Sequence, residues 1–243
     1  MNRVFVLCVL CCLLLASCKL EFSDGVIIAP SSNIVKKEFK MKAFDQVDID
    51  VVANVKIVQT TGGDSRVVLS CPDNYVDLFK FDVEGGELDI AFTRDGVNIE
   101  PRNVDVTVFT PQLHKLENSN VASVETDRLA VSQLKVENSG VGGVYLSGLS
   151  VNRVEVECSG VGGIELKGAA VEAELECSGV GGIDAKQLKA EIVKAEVSGI
   201  GGIKCFATKK IHGEVSGVGE LQYGGSPQEE KLERSGIGDI TKF

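Results

Sequence analysis

The 243-residue chain has no tryptophan, 5% aromatic residues, five prolines and two histidines. Deep ligand pockets usually recruit aromatic side chains, so their scarcity favours regular stacked β-structure built from small and β-branched residues. Few prolines beside 27 glycines exclude collagen-like and proline-rich disordered compositions. The composition therefore indicates a regular all-β protein.

Positive charge is also in short supply, with 25 lysines and arginines against 35 acidic residues and a net charge of −10. Such a chain cannot neutralise a phosphate backbone, which argues against a nucleic-acid partner. The glycine-rich segments are not followed by a Lys-Ser/Thr pair or by a helical pattern, as a phosphate-binding loop would require. We therefore expect no nucleotide and no cofactor.

No apolar run is long enough to span a bilayer, which needs about 20 residues. Residues 4–15 form an apolar run after the positive charge of Arg3, as in a signal peptide. The following Leu15-Ala16-Ser17-Cys18 resembles the lipobox of bacterial lipoproteins, in which the cysteine is acylated and becomes the mature N-terminus. The alternative is a plain secretory signal.

We accordingly predict three regions: a signal peptide at 1–17, the lipidated Cys18 with a flexible tether at 18–36, and a folded domain at 37–243. The expected location is exported and membrane-anchored. The outer membrane is the expected membrane, with the protein either periplasmic or exposed on the surface.

The C-terminal half repeats one short motif, Ser-Gly-x-Gly, usually followed by Gly and then Val or Ile. Successive copies are 18 to 20 residues apart and begin at Ser119 (a degraded copy), Ser139, Ser159, Ser178, Ser198, Ser216 and Ser235. A sustained period near 20 predicts a solenoid, in which each repeat buries its apolar face against the next.

Strand residues alternate faces, so aligning the copies assigns columns to the inside or the outside. A glutamate two residues before each serine is assigned outward: Glu117, Glu137, Glu157, Glu176, Glu196, Glu214 and Glu233. Two columns after the serine are assigned inward, namely Val141, Val161, Val180, Ile200, Val218 and Ile237, then Val144, Ile164, Ile183, Ile203, Leu221 and Ile240. The corner glycines are expected to adopt positive φ.

The predicted fold is an all-β, single-stranded parallel β-helix with rungs of about 19–20 residues. Right-handed is the expected sense, although the sequence leaves handedness open. The repeats occupy about 115–243, and the strand-like segment before them is predicted to form the first rungs or a cap.

An acidic cluster on neighbouring rungs, Glu155, Glu157, Glu174 and Glu176, is the candidate face for a cation or a basic partner. Lysines two residues before most column glutamates make a solvated mixed-charge face the alternative, and no metal ligand is assigned. Calcium-binding nonapeptide repeats need an aspartate in every rung. At this corner only Asp239 supplies one.

Cys158 and Cys177 occupy one inward column in adjacent rungs, with an expected Cα separation of about 5 Å. A disulfide and two buried free thiols are both compatible with that distance.

The segments Phe44–Ile49, Gly86–Ile90 and Val104–Leu113, together with the repeated Ser-Gly-x-Gly, resemble the putative auto-transporter adhesin, head GIN domain family. The resemblance runs from about 38 to 240. It implies an exported β-helical protein with an adhesive role, of a kind common in Bacteroidetes, and it supplies no catalytic residues.

The predicted function is therefore a non-enzymatic, lipid-anchored binding or adhesin-like protein of the cell envelope. Its partner would be a glycan, an envelope protein, or a second copy at an open end of the β-helix. The alternatives are a structural or sensory envelope protein and a polysaccharide-acting enzyme. Minimal loops, only two histidines (His114 and His212) and the lack of an aromatic platform for sugar rings argue against the enzyme.

Overall fold

The computed structural model describes residues 27–243. Its strands are β1 (Ile34–Lys40), β2 (Gln46–Asp50), β3 (Asn54–Gln59), β4 (Arg66–Pro72), β5 (Phe79–Glu84), β6 (Glu87–Phe92), β7 (Asp105–Thr110), β8 (Lys115–Asn118), β9 (Ser123–Thr126), β10 (Leu129–Asn138), β11 (Val144–Cys158), β12 (Ile164–Cys177), β13 (Ile183–Val197), β14 (Ile203–Val215), β15 (Leu221–Gly225), β16 (Glu229–Arg234) and β17 (Ile240–Lys242). A 3-10 helix, Asp73–Leu78, precedes β5. None of the helices in this part of the chain could cross a bilayer.

The repeats form the rungs of a β-solenoid, as the sequence period predicts. Strands β10 to β14 stack in parallel, and equivalent repeat positions pair in register, as Val136 does with Val156. The β11 ladder is interrupted at residues 147–148 and again at 152, so each rung has three straight segments. Each rung satisfies the backbone of its neighbours, which makes the stack cooperative.

The N-terminal strands supply both first rungs and a cap, which confirms the prediction for this segment. Strand β2 lies between β6 and β8, and β3 lies between β7 and β9, all in parallel. Beyond them, β5 pairs antiparallel with β6, and β4 lies antiparallel to both β7 and β1. Strand β1 begins within the predicted tether, at Ile34.

The core is a set of inward columns that run the length of the solenoid. The column that begins Val144, Ile164, Ile183 and Ile203 is almost fully buried, as predicted. At the C-terminal end, β16 pairs on one side with β14, and all six of its residues, most of them charged, are exposed. Charged side chains protect an open strand edge against further pairing.

The valine and isoleucine between the corner glycines point outward, so the inward assignment of Val141, Val161, Val180, Ile200, Val218 and Ile237 is wrong. These side chains are 58% to 85% exposed. The reason is that strand alternation continues unbroken through the corner. Cys158, Gly162 and Ile164 are buried, whereas Ser159, Val161 and Gly163 are exposed. Glycine occupies the inward positions.

The corner glycines are needed for close stacking, not for positive φ. In residues 27–243 positive φ occurs at glycines outside the Ser-Gly-x-Gly corners, such as Gly85 and Gly86 in the β5–β6 hairpin. A Cβ on Gly160 would lie 2.1 Å from the carbonyl oxygen of Gly140, and one on Gly162 would lie 1.9 Å from that of Gly142. Stacked corners therefore approach too closely for any side chain at these two positions.

Polar side chains close four of the corners from inside. Asn138 Nδ2 donates to the Gly142 carbonyl at 2.9 Å, and Cys158 Sγ donates to the Gly162 carbonyl at 3.2 Å. Asn118 and Cys177 bond the equivalent carbonyls of their own corners. Since an unpaired buried carbonyl costs free energy, this column stabilises the turn as well as filling the core.

Two neighbouring glycines of one corner should respond oppositely to alanine. We expect Gly162→Ala to destabilise by about 1–3 kcal/mol or more, because its Cβ would clash with backbone. We expect Gly163→Ala to be neutral or to stabilise by about 0.4–1 kcal/mol, because its Cβ has no contact nearer than 3.4 Å and the unfolded chain loses freedom. Urea unfolding measures both, and equal effects would contradict the stacking explanation.

Candidate binding surfaces

An outward column of acidic residues runs along one side of the solenoid. The sequence predicts seven of its members, and the out-of-order rungs β2 and β6 add Asp48 and Asp89. This carboxylate column comprises, in stacking order, Asp89, Asp48, Glu117, Glu137, Glu157, Glu176, Glu196, Glu214 and Glu233. Adjacent strands lie about 4.8 Å apart, so neighbouring carboxylates repel unless cations intervene.

Lysines of the adjacent column bridge neighbouring rungs. Lys115 Nζ lies 2.7 Å from Glu117 and 3.2 Å from Glu137, and Lys135 Nζ lies 2.7 Å from Glu137 and 3.1 Å from Glu157. Hydrogen bonds to Glu137 and Glu157 raise the pKa of Lys135 above its usual value. Exposed pairs of this kind contribute at most about 1 kcal/mol each, so their main effect is to cancel repulsion within the column.

An arginine forms ion pairs within the predicted acidic cluster. The guanidinium of Arg153 contacts Glu155 at 2.8 Å, Glu172 at 2.9 Å and Glu174 at 2.7 Å. Lys194 also pairs with Glu174, and Lys135 pairs with Glu157. No group of three or more acidic, histidine or cysteine side chains in residues 27–243 is arranged to hold a metal ion.

Glu155, Glu157 and Glu174 have basic partners, as in the mixed-charge alternative, whereas Glu176 forms no ion pair within 4.0 Å among residues 27–243. Pairing between the lysine column and the glutamate column does not reveal Arg153, because Arg153 lies two residues before the lysine column. The register places it beside Glu172, where it reaches two rungs. A cation site at the cluster stays a prediction.

Asp48, a member of the carboxylate column, has a raised pKa. Burial, then the charges of Glu117, Asp89, Glu87 and Asp50, raise the pKa of this half-buried carboxyl from 3.8 to about 6. Its Oδ1 is buried without a hydrogen-bond partner. In the rung of Asp48, Gln46 occupies the column position at which the next two rungs have lysine. This position therefore supplies no cation to neutralise Asp48.

Cys158 and Cys177 stack directly in register in β11 and β12, as predicted. In the structure both are buried free thiols, and each donates to a corner carbonyl. The contact with Cys177, together with burial, raises the pKa of Cys158. A disulfide between the two stays a prediction.

The exposed β-branched side chains of the corners form a continuous row, here called the apolar ridge: Val121, Val141, Val161, Val180, Ile200, Val218 and Ile237. They are 47% to 85% exposed. A serine column flanks the ridge on one side, and on the other lies a column that is serine or glycine from residue 123 to 202 and acidic at Glu220 and Asp239. From Val121 to Ile200 the ridge thus runs through an uncharged strip on an acidic protein.

Beside the ridge an open groove of about 390 Å³ crosses several rungs. Gly163, Gly182 and Gly202 form the floor of this glycine groove. At one end the ring of Tyr145 lies over Gly143, because a Cβ on Gly143 would come within 2.6 Å of Tyr145 Oη. At the other end Glu220 occupies the column position that the glycines hold elsewhere.

Polar side chains at rung intervals form the rim of the glycine groove: Glu165, Asp184, Lys204 and Gln222. Two of the rim carboxylates are held by nearby lysines, Glu165 by Lys167 at 2.6 Å and Asp184 by Lys186 at 3.0 Å. Gln222 Nε2 donates to Glu220 Oε2 at 2.9 Å. The rim therefore presents fixed donors and acceptors along one side of the glycine column, and the apolar ridge lies along the other.

Sequence reasoning missed both the ridge and the groove. The expectation that the chain offers no aromatic platform for a sugar ring stays a prediction, and it was made without Tyr145, which is 48% exposed at the groove. A signal was available: strict alternation from Ile164 places Gly163 and Glu165 outward together, and Tyr145 falls in the same column as Glu165.

We expect Asp48→Asn to raise the melting temperature at pH 7.5. A carboxyl whose pKa is higher in the folded state opposes folding when ionised, so the cost is present above about pH 6 and disappears towards pH 4. The difference between variant and wild type should therefore shrink as pH falls from 7.5 to 4. Asp64→Asn, in an exposed turn, is the control. A difference that does not change with pH would contradict the prediction.

Solved structures with the same fold are known. A putative adhesin from Bacteroides fragilis is 32% identical, with a TM-score of 0.86 over 89% of this chain and 100% of that one. A putative lipid binding protein from Parabacteroides distasonis is 19% identical with a TM-score of 0.73, covering 90% and 100% of the two chains. A putative adhesin from Parabacteroides merdae is 19% identical with a TM-score of 0.64, covering 89% and 98%. No curated protein matches the chain.

The model of one protein family, described as putative auto-transporter adhesin, head GIN domain, matches residues 43–227. This match covers the first rungs and most of the repeats. Together with the Bacteroides fragilis structure it supports an adhesin-like envelope protein. The chain belongs to the putative auto-transporter adhesin, head GIN domain family.

Proposed function

We propose that this protein is an exported, lipid-anchored and non-enzymatic adhesin-like protein that binds through its apolar ridge. The observation that carries the proposal is the row of seven exposed β-branched side chains. Contiguous exposed apolar surface on a soluble domain typically marks an interaction site. The fold does not require apolar residues there, because the ridge side chains point away from the core columns.

The partner we propose for the ridge is a second copy of this chain. The spacing between ridge side chains is the strand spacing of about 4.8 Å, so seven of them span about 29 Å. A second solenoid with the same repeat can match all seven, whereas a partner without that repeat drifts out of register. On the serine side, the serine column and the ridge column carry no charge from residue 139 to 218, so acidic chains can approach one another there.

A side-by-side pair with its two-fold axis parallel to the solenoid axis fits this surface best. In that arrangement the serine column of one copy faces the glycine side of the other, which places the more protruding column against the flatter one. Both N-termini then lie at the same end, as anchoring in one membrane requires. A single row of side chains buries less area than a standard interface, which buries about 800 Å² per partner. The pair should therefore be weak in solution and favoured by tethering.

The anchor is proposed at Cys18, which lies outside the described residues. The lipobox-like Leu15-Ala16-Ser17-Cys18 supports it, as does the apolar segment before it. Ile28 already pairs with Ile99 on the domain, so nine residues, 19–27, separate Cys18 from the folded part. Fully extended, nine residues reach at most about 32 Å, which would keep the solenoid near the membrane.

The non-enzymatic assignment is supported by the names of the family and of the structural neighbours, which are adhesin or lipid-binding names. The histidine side chain of His114 pairs with Asp45 at 3.0 Å on the outer surface, away from the glycine groove and the ridge. A second copy at the C-terminal end stays a prediction, although the exposed charges of β16 oppose simple strand addition there.

The ridge is tested by replacing Val161, Val180 and Ile200 with serine together. We expect the purified wild-type protein to show a concentration-dependent dimer by analytical ultracentrifugation and the triple variant to remain monomeric at the same concentrations. The matched control is Val171→Ser with Ile192→Ser, since both are exposed apolar residues outside the ridge. A monomeric wild type at millimolar concentration, or a dimer that survives the triple change, would overturn this assignment.

The anchor is tested by Cys18→Ser in the producing cell. The expected outcome is that wild type fractionates with membranes and the variant moves to the soluble exported fraction, because stable anchoring depends on the acyl chains. Cys71→Ser serves as the control, because it removes a buried thiol and leaves the lipobox intact. Retention of the Cys18 variant on membranes would contradict lipidation at this residue.

A further inference from the structure

We infer that the glycine groove is a binding site for a neutral oligosaccharide. The groove borders the apolar ridge, and its glycine column is the flank that the proposed side-by-side pair would cover, so sugar binding is inferred for the free monomer and does not depend on self-association. Its volume of about 390 Å³ falls within the usual range for small-ligand sites, roughly 300–1,000 Å³. The structure shows an apolar floor, one exposed aromatic ring and a rim of fixed polar groups.

At Gly163, one of the three floor positions, the groove is open without a structural need for it. At Gly160 and Gly162 the fold forbids a side chain, because a Cβ would lie about 2 Å from backbone. At Gly163 the nearest atom to a Cβ would be the Gly182 carbonyl oxygen at 3.4 Å, an ordinary contact, and φ there is not positive. Stacking does not explain this glycine.

The same column accepts side chains in other rungs. Ser123 precedes Gly143 in the stack, and Glu220 and Asp239 follow Gly202. Gly182 and Gly202 are tighter, with Cβ distances of 2.9 and 2.8 Å to the next carbonyl, yet the next rung places a glutamate at this position. The bare stretch is therefore confined to three successive rungs between the Tyr145 ring and Glu220.

The chemistry of the groove matches that of a sugar ring. A pyranose has an apolar C–H face and a periphery of hydroxyl groups, and it needs a flat apolar surface bordered by donors and acceptors. The Tyr145 ring and the glycine floor provide the surface, since an exposed aromatic ring packs against C–H groups. Carboxylates accept hydroxyl protons, and Gln222 offers an amide. Lys204, which forms no ion pair within 4.0 Å in residues 27–243, offers an ammonium donor.

Charge selects a neutral ligand. Glu165, Asp184 and Glu220 all line the groove. Hydrogen bonds from Gln222 and Thr241 hold the pKa of Glu220 below its usual value, so it is ionised at neutral pH. Lys167 pairs with Glu165, Lys186 with Asp184, and the charge of Lys204 acts on Glu220, so the groove has no surplus positive charge to attract an anionic glycan.

An extended peptide is excluded as a strand addition, because the floor is a sheet face whose backbone is already paired. Ile164 N–H donates to the Gly182 carbonyl and Ile183 N–H to the Gly202 carbonyl, each at 2.9 Å. Strand addition needs free backbone groups at an edge. An acyl chain is disfavoured because it would meet polar rim groups at every rung.

The test is affinity electrophoresis of the purified protein through gels containing a neutral polysaccharide, with dextran, galactomannan and xyloglucan as the probes. We expect retardation by at least one of these probes, and binding of the corresponding hexasaccharide by calorimetry. Tyr145→Ala and Gly163→Val should each weaken binding about tenfold or more, the first by removing the ring and the second by filling the floor. Tyr145→Phe should bind within about threefold of wild type, because stacking uses the ring.

Val171→Ser, at an exposed apolar residue outside both the ridge and the groove, is the matched control and should bind like wild type. If Gly163→Val unfolds, Gly163→Ala and Tyr145→Ala still test the floor and the ring, with circular dichroism to confirm the fold. Absence of binding to all three neutral probes, binding to chondroitin sulfate or polygalacturonate alone, or binding unaffected by these variants would each overturn the inference. The ultracentrifugation result for the ridge is read independently, so the two assignments can fail separately.

Discussion

The close contact between stacked corners is the constraint on which the rest of the structure depends. The carbonyl of Gly140 accepts the N–H groups of both Val161 and Gly162, at 3.1 and 3.2 Å, and the next corners repeat this pattern. Such contact leaves no room for a Cβ, so glycine is fixed at two inward positions of each corner from Gly140 to Gly238. The valine between them is then forced outward. The ridge is thus a geometric consequence of the turn, and its apolar identity is what calls for a functional explanation.

The sequence predicts the period, the strand faces and the location of the core because each depends on local alternation and repetition. It fails at the corner. There the apolar character of Val161 suggests burial, but strand alternation is the stronger constraint and places the side chain outside. It also misses the insertion of β2 between β6 and β8, because that pairing joins segments about 40 and 70 residues apart in an order that periodicity does not reveal.

The candidate sites follow the same division. The acidic cluster was visible in the sequence, but its neutralisation by Arg153 depends on a contact across rungs between columns that had been considered separately. The groove depends on the absence of side chains at Gly163 and its neighbours. Aligning the repeats does not distinguish a glycine that stacking requires from a glycine that stacking would allow to be replaced by a larger residue. Only the distance from a Cβ to the next carbonyl makes that distinction.

The shuffled order of the first rungs divides the folding of the chain into two regimes. Rungs from β10 onward can be added one after another, each on a finished neighbour, as in other solenoids. The segment from β1 to β9 cannot grow in this way, because β2 and β3 have a partner strand along both edges only after β8 and β9 have been synthesised. The segment from β1 to β9, residues 34–126, therefore completes its rungs only as one unit. For a chain made N-terminus first, the strands that emerge earliest have to wait for residues up to about 126 before both of their edges are paired.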